Sequence, residues 1–135
     1  MANTLGKNRK LCGEERINQL FDRGSSMMAY PFRIVWRVVP EMPSKGMLFV
    51  VAVPKKKLKH AVDRNRIKRL SRECIRLYGQ SFHQRLLDKN LTVEMAFIWI
   101  PTEVFTMEKI QKKMVDAFSK MDIQLAELAI INSGG

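Results

Sequence analysis

The chain has 135 residues, 46% of them hydrophobic, with 24 Lys and Arg against 13 Asp and Glu and a formal net charge of +11. That length makes one ordinary domain able to bury a core, and that apolar content excludes an intrinsically disordered chain. No run approaches the ~18 uninterrupted apolar residues of a membrane span, and two cysteines, Cys12 and Cys74, exclude a disulfide framework or a four-ligand zinc site.

In chain order, residues 1–12 are polar and basic without periodicity and read as a flexible arm. The opening MANTLGKNRKLC lacks the apolar core of a signal peptide, so a cytoplasmic protein with reduced thiols is expected. Residues 13–23 read as a short helix. Glu14 and Glu15 suit its positive end, Ile17, Leu20 and Phe21 share a face, and Gly24 is placed to stop it in a left-handed cap. A strand is suggested near 26–31. Residues 31–39, PFRIVWRVV, alternate with period two. Phe32, Ile34, Trp36 and Val38 then face one side of a sheet, and Arg33, Val35, Arg37 and Val39 the other. Residues 40–46, PEMPSKG, form a turn. Residues 47–53, MLFVVAV, are apolar throughout and predict a central strand covered on both faces and ended by Pro54.

Residues 61–77 have helical spacing. Ile67, Leu70, Cys74 and Leu77 make a narrow apolar stripe, while Arg64, Lys68, Arg72 and Arg76, joined by Asn65 and Arg69, occupy the other side. Ile75 falls inside that basic arc and does not fit the pattern. Residues 78–90 read as a polar connection around Gly79, and 91–100, LTVEMAFIWI, as a further strand closed by Pro101. Thr106 caps a helix over 107–121 whose inward stripe is Met107, Ile110, Met114, Ala117, Phe118 and Met121. Residues 123–131 can add a turn or two, and the final SGG reads as frayed. The order of elements predicts an α+β two-layer sandwich in one domain, residues 1–135, with a tail over 122–135.

Charge is concentrated. Residues 55–76, KKKLKHAVDRNRIKRLSRECIR, carry ten cations against Asp63 and Glu73, a net +8, while residues 101–135 carry −1. A basic patch on a folded domain most often meets phosphate. A membrane-surface helix would pair its basic face with bulky Trp, Phe and Leu; the helical part here offers only Ile67, Leu70, Cys74, Ile75 and Leu77, enough to seat it on a core, so nucleic acid is favoured. Arg64, Lys68 and Arg72 repeat like charge at i, i+4, which costs a helix a few tenths of a kcal/mol per pair. Solvated faces normally mix signs; tolerating this repulsion implies an anionic partner. Arg33, Val35 and Arg37 offer a second surface. With Ile17 and Phe21 they could form a groove for single-stranded nucleic acid, or Ile17 and Phe21 could be plain core.

Groups for catalysis are sparse. His60 and His83 are the only histidines, Glu14 and Glu15 the only adjacent carboxylates, and no metal-pair spacing or Gly-rich phosphate loop is present. Neither catalytic nor metal-ligating residues are expected in the protein.

The run Arg64-Asn65-Arg66-Ile67-Lys68-Arg69-Leu70, followed by Arg72-Glu73, resembles the RNR signature of the bacterial ribonuclease P protein subunit. The preceding strand, lysines and Ala61-Val62 fit that context, as do Ile17, Leu20, Phe21, Gly24, Ser26 and Phe32 upstream, so the likeness spans about residues 9–121. It implies an α-β-β-β-α-β-α fold with a left-handed crossover around the basic helix. It also implies that a catalytic RNA, with Mg2+, removes the 5′ leader of precursor tRNA, while a monomeric protein binds that RNA and the leader. Carried over, Lys55, Lys56, Arg64, Asn65, Arg66, Lys68, Arg69 and Arg72 contact the RNA, and Ile17, Phe21, Arg33, Val35 and Arg37 line the leader cleft. The chain departs from the family pattern in having Ile17 and Val35 where aromatics are common, a loop 54–60 about one residue longer, and Lys59 where Gly is frequent. The alternatives are a non-enzymatic RNA-binding module, such as a ribosomal protein, and a DNA binder that lays helix 61–77 in a major groove.

Overall fold

The computed structural model describes Leu20, residues 24–39 and residues 45–134, with the backbone alone at 125 and 127–134. The arm 1–12, Cys12, all of helix 13–23 except Leu20, and most of the turn 40–46 lie outside these residues. The elements are β1 (Ser25–Ala29), β2 (Phe32–Val38), β3 (Gly46–Ala52), α1 (Ala61–Tyr78), α2 (Gln80–Asp88), β4 (Thr92–Trp99) and α3 (Met107–Gly134). They form the expected α+β sandwich: one four-stranded sheet with its core under the helices.

The strand order is β1-β2-β4-β3. β1 pairs antiparallel with β2, β2 antiparallel with β4, and β3 parallel with β4. A parallel pair needs a long crossover, and here it contains the lysine loop, α1 and α2.

The period-two reading of β2 holds. Phe32, Ile34 and Trp36 enter the core beneath the helices, whereas Val35 joins a second cluster on the opposite face with Leu20, Leu48 and Ala96. Phe97 anchors the helical side, with the Phe32 and Phe49 rings edge-on to it at 5.8 and 6.4 Å. Ile67 and Ile75 of α1 and Ile110, Met114 and Phe118 of α3 close over these rings.

Five expectations need correction. β3 is an edge strand, not a central one: burial on both faces comes from the core on one side and the Leu20 cluster on the other. Residues 80–88 are a helix rather than a polar connection, held by buried Phe82, His83 and Leu86. In α1, Ile75 is fully buried and Leu77 is 49% exposed, so the inward stripe is Ile67, Ser71, Cys74 and Ile75. The turns allowed over 123–131 are present, but the helix does not fray before the final SGG: the helical backbone of α3 continues to Gly134. Gly24 is not left-handed, since Gly46 is the only described glycine with positive φ. Its backbone N–H donates to the Leu20 carbonyl at 2.8 Å, and a Cβ there would come within 2.5 Å of that same oxygen, so close approach is what demands glycine.

Two features fix the crossover to the sheet. Gly46 has φ +67°, a backbone that suits glycine, and a Cβ would run into the His83 ring. His83 Nδ1 accepts from the Met47 N–H at 3.0 Å, which ties α2 to the start of β3. No helix among the described residues is long and apolar enough to cross a membrane.

Candidate nucleic-acid interface

The basic segment begins where β3 ends. The chain turns at Pro54, whose carbonyl accepts from Lys57 N–H at 3.0 Å and Leu58 N–H at 3.3 Å. Leu58 is 5% exposed and plugs into the core, which leaves Lys55, Lys56, Lys59 and His60 facing solvent. α1 then starts at Ala61.

The corrected inward stripe rotates α1 relative to the expected arc. Asn65, Arg66, Arg69 and Arg72 are exposed, and Lys68 is half-buried. Among the described residues no carboxylate within 4.0 Å pairs with Arg66, Lys68, Arg69 or Arg72. Arg76 differs: its Nη2 lies 2.6 Å from Glu73 Oε1, and hydrogen bonds from Arg76 hold the Glu73 carboxyl below its ordinary value. Arg64 differs as well. Its Nη1 donates to the carbonyls of Leu58 and Lys59, both at 2.9 Å. Beneath these cations Cys74 is fully buried, and desolvation pushes its thiol up to about 11, helped by the Glu73 charge. It is therefore a protonated packing group at neutral pH, 3.8 Å from Met107 Sδ.

The second predicted surface is the sheet face away from the helices. Ile17 and Phe21 lie outside the described residues. Arg33 is exposed, with its Nε donating to Ser26 Oγ at 3.2 Å. Val35 is 2% exposed within the Leu20 cluster, so it forms floor rather than a stacking surface. Arg37 Nε donates to Glu94 Oε1 at 2.9 Å, and Glu94 has no solvent access. Sequence reading missed Glu94. The cue is positional: Glu94 stands opposite Arg37 in the β2–β4 register, a pairing that only the sheet reveals.

The structure thus brings Lys55, Lys56, Asn65, Arg66, Lys68, Arg69 and Arg72 onto one loop and helix, and separates them from Arg33 and Arg37 across the sheet. No group of three or more His, Cys, Asp or Glu among the described residues comes together to hold a metal ion.

Fold and surface together define a small α+β protein with one cationic helix held between parallel strands, a class suited to a polyanionic partner. Residues 5–122 match the family model for ribonuclease P. Two relatives named ribonuclease P protein component, from two strains of Porphyromonas gingivalis, are 31% identical over 110 residues, covering 82% of this chain and 80% of theirs. The fold resembles that of the Staphylococcus aureus RNase P protein, with a TM-score of 0.61 at 18% identity, over 84% of this chain and 94% of that one. The chain belongs to the ribonuclease P protein family. Membership makes it a protein component of a tRNA-processing endoribonuclease holoenzyme, with RNA as its partner.

Proposed function

We propose that this protein binds the catalytic RNA of ribonuclease P through Lys55, Lys56 and the outer face of α1, and assists removal of the 5′ leader from precursor tRNA. The observation that carries this reading is the exposed face of Asn65, Arg66, Arg69 and Arg72, whose arginines have no carboxylate at salt-bridge distance among the described residues. Arginine's planar fork suits phosphate, and a row of like charge without counter-ions is stabilised when an anion docks. The leader runs along the opposite sheet face past Arg33, where an exposed guanidinium can meet its phosphates. Phosphodiester hydrolysis belongs to the RNA in this reading, and so does the Mg2+ it uses. The protein acts as a monomer in the cytoplasm.

Reconstitution tests the proposal. Purified protein alone should leave precursor tRNA intact, and adding the catalytic RNA at low Mg2+ should yield the mature 5′ end faster than RNA alone. Cleavage by RNA-free protein would overturn the assignment of chemistry to the RNA. The absence of any gain over RNA alone would favour a different RNA-binding role.

A further inference from the structure

We infer that Arg64, the first residue of the signature run, is a positioning residue for the lysine loop rather than a direct RNA contact. This rests on the proposal that loop and helix bind RNA. At about 100° per residue, Arg64 lies about 60° from the buried Ile67, whereas Arg66, Arg69 and Arg72 lie about 100° or more from it. Arg64 is accordingly half-buried where Arg66, Arg69 and Arg72 are exposed. Both hydrogens of Nη1 are engaged, one on the Leu58 carbonyl and one on the Lys59 carbonyl, each at 2.9 Å.

Those two carbonyls stand where the loop turns into α1, before the helix can supply donors to them. A cation near the positive end of a helix is disfavoured on its own; two carbonyl dipoles aimed at the guanidinium offset that. The loop is then fixed at three points: the Pro54 carbonyl at its start, the buried Leu58 in its middle, and Arg64 at its end. Between these points Lys55, Lys56 and Lys59 face outward. Arg64 therefore aims three lysines without using its own Nη1 on the partner. A lysine at 64 brings a single ammonium in place of the planar fork and should hold the loop only in part.

A double-mutant cycle on RNA affinity tests this. Arg64→Ala should weaken binding about tenfold in the parent protein. It should weaken binding less than about twofold once Lys55, Lys56 and Lys59 are alanine, because groups that act through one another are not additive. Arg69→Ala should cost the same factor in both backgrounds. In the free protein, Arg64→Ala should speed hydrogen exchange at the Lys57 and Leu58 amides, and Arg64→Lys should give intermediate values and covers the case where the alanine variant fails to fold. Equal losses from Arg64→Ala in both backgrounds, or unchanged exchange at those amides, would overturn the inference and leave the proposed interface standing. A triple lysine variant that binds RNA normally would remove the loop from the interface and overturn the inference, while the α1 face would still stand or fall on Arg69→Ala.

Discussion

Helices α1 and α3 cover the same face of the sheet, yet treat surface charge in opposite ways. On α3, Lys109 sits 3.9 Å above the Phe105 ring, Lys120 Nζ reaches the Met28 carbonyl at 3.3 Å, and Asp122 pairs with Arg85 at 2.6 Å. Its exposed positions also mix signs, with Glu108 and Asp116 among the lysines. On α1, Arg66, Arg69 and Arg72 share a face with no carboxylate at salt-bridge distance among the described residues. A solvated helix and a docking helix can carry similar numbers of cations. The difference lies in how many of those cations are already committed within the fold.

The sharpest break in this contrast is a matched pair of triple variants. Arg66→Ala with Arg69→Ala and Arg72→Ala should weaken binding of the catalytic RNA by about 100-fold, about 2.7 kcal/mol, and lower the log–log salt slope by about two units. The same loss of charge at Lys109, Lys112 and Lys113 should cost less than about threefold, with little change of slope. Similar losses from the two sets would show that binding reads net charge rather than the α1 face.

Next in size is the internally committed arginine of the sheet. Arg37→Met removes a hydrogen-bonded partner from a carboxylate with no solvent access and should destabilise the fold by about 2 kcal/mol in a denaturant titration. A loss under about 0.5 kcal/mol would place that pair with ordinary surface pairs.

The smallest effect concerns Glu73, which pairs with Arg76 on α1. Glu73→Gln frees Arg76 and should tighten RNA binding by about twofold in a salt-matched assay. The Glu73 carboxyl is held below its ordinary 4.5, so its contribution to stability is present above that pH and fades as pH falls through the lower folded value. Melting curves of the Gln variant should lose that part of the acid dependence, and identical acid profiles would contradict the pairing.

The sequence carried the strands' facing and the helix's charge well, because both follow from local periodicity. Alternation in β2 placed Phe32, Ile34 and Trp36 correctly, since a period of two leaves one choice of face. It could not place β3 at an edge: an apolar run reports burial on both faces and says nothing of lateral neighbours. The α1 stripe was misjudged at one turn because Leu77 and Ile75 are equally apolar, and only tertiary packing selects Ile75. Helix α2 was hidden by its length of nine residues and a buried histidine in place of a hydrophobe. For the site, the cations were legible and their commitments were not. Arg64 is answered by backbone carbonyls, which look alike in every sequence, and Arg37 by a residue 57 positions away.

The parallel pairing of β3 with β4 also has a kinetic consequence. Every pair in that register joins residues 46 positions apart along the chain, and such contacts form late because the intervening chain must first lose its freedom. α1 lies wholly inside that span, and a helix bearing like charges has little reason to persist alone. The arginine face is therefore completed only when the last strand arrives. The support beneath that face includes β4, which sits between β2 and β3 and ends at Trp99.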